Sequence, residues 1–211
     1  MTLLDTRPGI AANYRAFVAA TGVHVDVELA VSRLGPPLAH ELAHWCPPDG
    51  VERAVTAFRA LYPRHAIAPS PLLPGAREAI GAVHAAGGTV VVITAKLERF
   101  ARLHLTHVGL PFDHLVGEAF GDGKERGMRE LGVTIYVGDH VADMRAAVAA
   151  GSAVTPVGVV TGPCTEAELT GAGAALVLPD LGHFPRWLYD QGFPQETHSL
   201  RSDRSQIHRA S

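Results

Sequence analysis

The sequence predicts an α/β protein, a Rossmann-like parallel sheet flanked by helices with an all-helical segment ahead of it. Three observations carry this. From Pro74 onward, short apolar runs alternate with helical patterns, and strands spaced by helices of that length make βαβ units. The run Thr89-Val90-Val91-Val92-Ile93-Thr94 is β-branched without alternation, as a strand covered on both faces must be. Residues 8–73, by contrast, hold only helical patterns punctuated by proline and glycine.

In the first part, Pro8 stands at a first-turn position and a helix spans Gly9 to Ala20, closed by Gly22. Asp26 caps a second helix reaching Leu34, and Pro37 opens a third that Pro47-Pro48 stop. Asp49 is expected to cap a fourth, with Val51, Val55, Phe58 and Leu61 on one face and Pro63 at its end. A connector with Pro69, Pro71 and Pro74 follows. The α/β part then opens with a helix Ala76–Ala86, stopped by Gly87-Gly88. After the strand Thr89–Thr94 come a helix Leu97–Val108 and a short strand His114–Val116. A helix Lys124–Leu131 leads to the strand Thr134–Val137, and a helix Ala142–Ala150 to the strand Val157–Val160. A helix Glu166–Leu169, a strand Ala175–Leu178 and a helix Phe184–Tyr189 finish the pattern. Residues 191–211 are polar and aperiodic, the pattern of a disordered tail.

Composition narrows the function classes. Hydrophobic residues make up 47% and charged residues 18%, which excludes a wholly disordered chain. A net charge of −3 and a pI near 6.4 lack the basic face that a nucleic-acid partner requires. No apolar run is long enough for a membrane span, and the N-terminus lacks the pattern of a signal peptide. Two cysteines, Cys46 and Cys164, do not make a disulfide framework, so a cytoplasmic location is expected. Of the 18 basic residues only Lys96 and Lys124 are lysines. Codon bias in a GC-rich genome explains that scarcity, but not where the two lysines fall.

In parallel sheets, ligands bind beyond the carboxyl ends of the strands. Thr94 ends one strand and Asp139 directly follows another; Asp143, four residues on, shares its face of the opening helix turn. Lys124 stands at the start of a further helix. Two carboxylates with waters and a substrate oxygen suit Mg²⁺, and a hydroxyl with an ammonium suits phosphate oxygens. Taken alone, Asp139 would merely cap the helix that follows it.

Val137-Gly138-Asp139-His140-Val141-Ala142-Asp143 resembles the fourth motif of the haloacid dehalogenase superfamily, whose two acids bind magnesium. Val91-Val92-Ile93-Thr94 is similar to the second motif, whose Thr or Ser holds the phosphate, and Lys124 to the lysine of the third, with Glu125 replacing the usual proline. Thr94-Ala95-Lys96 resembles the Thr-Asn-Lys of phosphoglycolate-phosphatase-like members, and Gly35-Pro36-Pro37-Leu38 the substrate-facing loop of their helical cap. The resemblance implies a core of residues 1–7 and 74–190, a cap of residues 8–73, and a Mg²⁺-dependent phosphatase. Thr94 and Lys124 would then be catalytic, Asp139 and Asp143 metal-binding, and Lys96, Gly35 and Pro36 substrate-binding. A small phosphorylated metabolite is the implied partner, with a monomer or homodimer as the assembly. Dehalogenases and phosphomutases share the layout. Phosphonatases use a cap lysine, and residues 8–73 contain none.

The first motif, a hydrophobic strand ending in Asp-x-Asp-Gly-Thr-Leu, is represented only by its tail, Thr2-Leu3-Leu4-Asp5-Thr6. The family nucleophile and its general acid/base are therefore expected on a strand encoded just ahead of Met1. A protein without that strand would lack activity, and its sheet would be open between Thr89–Thr94 and Thr134–Val137. The alternative is a catalytically inactive binding protein on the same scaffold. His40-Glu41-Leu42-Ala43-His44 matches the His-Glu-x-x-His of zinc hydrolases, a remote alternative. The longer form of that motif places Gly and His where this chain has Pro47 and Gly50, so a helix surface without zinc is expected. His104 and His107 read as helix-surface residues and Cys46 as structural.

Overall fold

The computed structural model describes residues 1–193. Its first part is helical: α1 (Arg7–Thr21), α2 (Val27–Ser32), α3 (Leu38–Leu42) and α4 (Val51–His65). Asp26 accepts the Leu29 N–H at 3.0 Å and caps α2. Asp49 lies instead in a 3-10 turn, Pro48–Gly50, and the residue preceding α4 is Gly50 with no side-chain cap. Pro63 does not end α4, which continues to His65. A proline one turn from the end removes a single helical bond, and packing of Phe58 and Tyr62 carries the helix past it.

The second part alternates as expected: α5 (Ala76–Ala85), β1 (Val91–Ile93), α6 (Glu98–His107), β2 (His114–Val116), α7 (Asp122–Glu130) and β3 (Ile135–Gly138). Then come α8 (Val141–Ala150), β4 (Thr155–Val159), α9 (Glu166–Gly171), β5 (Leu176–Leu178) and α10 (Phe184–Asp190). All pairings between these strands are parallel. β4 starts two residues earlier than its sequence pattern, with Pro156 inside it. The missing N–H is tolerated because the Pro156 carbonyl still accepts from Ala175. The expectation for the tail falls mostly on 194–211, outside the described residues.

The strands form two sheets, β1-β2 and β3-β4-β5. β1 pairs only with β2 and β3 only with β4, so each presents one unpaired edge. This is why β1 spans three residues where the apolar run spans six. Between these edges lies a cavity of about 780 Å³, lined by Val91, Val92, Val137, Leu3 and Leu4 among others. Leu4 bridges Leu72, tying the N-terminal residues across the mouth of the connector.

Apolar burial divides along the same line as the helices. One cluster joins Tyr14, Phe17, Val25, Leu42, Phe58 and Tyr62, reaching Phe100 of α6. The α/β residues form three smaller clusters, around Val157 and Val159, Met128 and Tyr136, and Ile80 and Leu105. Among the described residues no helix is long and apolar enough to cross a membrane.

Candidate active site

The strands β1 and β3 deliver their last residues to one rim. Thr94 leaves β1, its N–H donating to the Val116 carbonyl at 2.9 Å and its own carbonyl accepting from Ala119 at 2.9 Å. Its hydroxyl oxygen accepts the Lys96 N–H at 3.2 Å. Asp139 leaves β3, and Asp143 lies on the first turn of α8. Thr94, Lys96, Lys124, Asp139 and Asp143 all line the same cavity. Asp139 does not cap α8: the His140 ring accepts the Ala142 N–H at 3.1 Å and performs that task. The Asp139 carboxylate is left free to face the rim.

Each carboxylate meets a cation. Lys124, on the first turn of α7, forms an ion pair with Asp143, and both side chains are largely withdrawn from solvent. Tyr136 donates to the same Asp143 oxygen at 3.4 Å. Burial and the nearby Asp143 charge push the Tyr136 hydroxyl well above its usual range. Asp139 accepts the Thr2 hydroxyl at 2.8 Å and pairs with the α-ammonium of Met1. That ammonium also reaches the Thr161 carbonyl at 3.4 Å, while the Thr161 hydroxyl donates to the Met1 carbonyl at 2.6 Å.

Two glycines make this packing possible. A Cβ on Gly138 would come within 2.4 Å of the Asp143 Cβ, and one on Gly162 within 2.0 Å of an Asp139 oxygen. Either side chain would push a carboxylate off the rim. The Met1 ammonium marks a point where positive charge meets a carboxylate and a carbonyl. Such hard oxygen donors suit Mg²⁺, so Asp139 and the Thr161 carbonyl fit one side of a divalent cation, and Asp143 lines the same cavity.

Lys96 lines the same cavity but turns its ammonium toward the helical module. Its ammonium donates to the Tyr62 hydroxyl of α4 at 2.7 Å and lies over that ring at 5.1 Å from the centroid. Burial lowers its pKa to about 8. His104, expected at a helix surface, is buried at 2% exposure and contacts the Tyr62 hydroxyl at 3.0 Å. Burial, with Lys96 and His107 nearby, lowers its pKa to about 4, so the ring is neutral.

Gly35 and Pro36 do not join the site. They sit on the exposed connection between α2 and α3 and do not line the cavity. The helix α3 also resolves the His-Glu-x-x-His match. Glu41 is turned inward, accepting both arms of Arg33 at 2.7 and 3.1 Å and the Trp45 N–H at 2.8 Å. His40 and His44 are exposed, and Glu41 is tied up in these contacts.

Thr161, Gly162 and Tyr136 escaped the sequence reading. Thr161 and Gly162 follow β4 closely, and the rule that located Thr94 and Asp139, applied to a third strand, points to them. Tyr136 had no such signal, because a buried strand tyrosine looks like core.

The haloacid dehalogenase-like hydrolase family matches residues 1–148, and the chain belongs to it. Members of this family generally use Mg²⁺. A haloacid dehalogenase-like hydrolase from Streptococcus pneumoniae is similar with a TM-score of 0.73 and 19% identity, covering 90% of this chain and 93% of that one. A protein described as a predicted phosphoglycolate phosphatase from Haemophilus somnus gives 0.72 and 17%, covering 88% and 92%. A family hydrolase from Deinococcus radiodurans, solved with phosphate and sodium, gives 0.63 and 22%, covering 90% and 92%. These likenesses establish the fold. Tyrosine-protein kinase PtkA of Mycobacterium tuberculosis is 31% identical over 110 residues, which are 52% of this chain but 38% of that protein.

Proposed function

We propose that this protein is a cytoplasmic, Mg²⁺-dependent phosphatase of a small phosphate monoester, acting through an aspartyl-phosphate. The observation that carries the proposal is the convergence of Thr94, Lys124, Asp139 and Asp143 on one cavity at strand ends. The nucleophilic Asp belongs to a strand ahead of Met1 that fills the slot between β1 and β3. Two features support this strand. Both flanking edges are unpaired, and the Met1 ammonium lies against Asp139, so a chain entering there arrives at the carboxyl rim.

Bound Mg²⁺ would offset charge on the transferring phosphoryl group. Asp139 and Asp143 would hold it, with the Thr161 carbonyl on the Asp139 side of the rim. The Thr94 hydroxyl donates to one phosphoryl oxygen. The Lys124 ammonium, now on Asp143, lies within the same cavity and neutralises another. The helical module is the cap that excludes water and selects the leaving group, as Tyr62 of α4 already reaches the Lys96 side chain. Similarity to a protein named as a tyrosine kinase favours phosphoryl chemistry too, with a hydroxyl in place of water as acceptor.

A non-catalytic binding protein is the second reading. It is favoured by one observation: the Asp143 carboxylate already has a cationic partner, Lys124, within the chain. The two separate on activity. The protein extended upstream of Met1 is expected to hydrolyse p-nitrophenyl phosphate with Mg²⁺ and to lose at least ~100-fold on Asp139→Asn while remaining folded. Undiminished turnover in that variant, or in excess EDTA, would refute the phosphatase.

A further inference from the structure

Among the described residues, the side-chain hydrogen bonds joining residues 8–73 to residues 74–193 converge on one atom, the Tyr62 hydroxyl. Lys96 donates to it at 2.7 Å, and the His104 Nε2 lies 3.0 Å away. The ring is held as well as the hydroxyl: Tyr62 stacks on Phe100 with centroids 4.3 Å apart at 18° and is 4% exposed. Since the ammonium can only donate, the Tyr62 oxygen accepts from Lys96 and passes its own proton to His104. A neutral His104 then accepts at Nε2 and carries its proton on Nδ1, a buried atom without a partner in the chain. Lys96 in turn is bonded through its backbone N–H to the Thr94 hydroxyl. A rigid series therefore runs from the helical module to the residue that would hold an anion.

We propose that Tyr62 is a positioning residue: it holds the Lys96 side chain at the wall of the cavity that Thr94 also lines, so that anion binding at Thr94 depends on the seating of the helical module. This rests on the reading of Thr94 and Lys124 as an oxyanion site and adds a second cation to it. Lys96 suits the role because it has no carboxylate partner among the described residues, whereas Lys124 is paired with Asp143. The groups that face Lys96 are Tyr62 from α4 and His104 from α6. Lys124, Asp139 and Asp143 line the same cavity. Because burial holds the amine near 8, its charge is lost just above neutral pH. An accepting hydroxyl favours the charged form, so removing it lowers that midpoint further.

The test uses the chain as it stands and sulfate, whose charge does not change from neutral to alkaline pH. Sulfate affinity is expected to fall as pH rises through about 8. That limb should vanish in Lys96→Met. In Tyr62→Phe, which keeps the stacked ring, affinity at neutral pH should drop roughly five- to tenfold and the limb should move to lower pH. Binding curves of Tyr62→Phe that superimpose on the wild type overturn the proposal. If the wild type binds no sulfate at any pH, the oxyanion-site reading fails, and ¹⁵N resonances of the two lysines decide the positioning role alone. A Lys96 midpoint lower in Tyr62→Phe than in the wild type upholds it, and an identical midpoint overturns it.

Discussion

Residues 10–67 close around Tyr14, Phe17, Leu42 and Phe58, all buried, whereas β1 and β3 leave a cavity of about 780 Å³ between them. The two regions share one chain and similar proportions of apolar side chains, so hydrophobicity alone does not account for the difference. Helices satisfy their own backbone groups and need only one apolar stripe to be covered. A parallel strand must be covered on both faces and draws its backbone bonds from neighbouring strands. The helical module is therefore complete with the residues it has, while the sheet is complete only where a neighbouring strand exists. Among the described residues β4, paired with both β3 and β5, is the one strand bonded on both edges.

Truncation on the two sides should separate them. Phe17→Ala in the module is expected to cost about 3–5 kcal/mol, read as a loss of denaturant midpoint, since it opens a void in close-packed aromatics. Titration gives the next largest effect. The folded value for His104, about 4, lies below the unfolded value of 6.5, so protons bind preferentially to the unfolded chain in that window. Stability should be full above pH 6.5 and fall by up to about 3 kcal/mol as pH drops toward 4, and His104→Gln should flatten that slope. Val91→Ala and Val137→Ala, against the cavity, should each cost under about 1 kcal/mol, because one side of each valine already lacks partner atoms. Amide exchange sharpens the contrast without mutation: the N–H groups of β4 should exchange far more slowly than those β1 and β3 turn toward the cavity.

Much of this was legible from residue types. The order of elements from α5 to α10 followed from β-branched runs separated by glycine-stopped helices, and His114–Val116 coincides with β2. That Thr94, Lys124, Asp139 and Asp143 line one cavity followed from position alone, since strand ends converge in a parallel sheet whatever the side chains do. The misses have physical causes. Pro63 read as a break because local propensity ignores the packing that carries a chain past a missing N–H, and the strand at Val157 begins two residues earlier, at Thr155. The match at His40–His44 was set aside for lack of a third ligand, and the structure adds that Glu41 turns inward onto Arg33 and Trp45. Gly35 and Pro36 were placed at the site by resemblance, and an exposed loop position is where resemblance constrains geometry least. Tyr62 gave no signal because its role depends on Lys96 and His104, which are distant in sequence and meet only through the fold.

The most direct test of this account is the structure of the protein extended by the strand proposed ahead of Met1. The added segment is expected to run as a parallel strand bonded to both Val91–Ile93 and Ile135–Gly138, joining the two sheets into one and bringing a carboxylate among Thr94, Lys124 and Asp139. Direct pairing of β1 with β3, with the added residues outside the sheet, would contradict it.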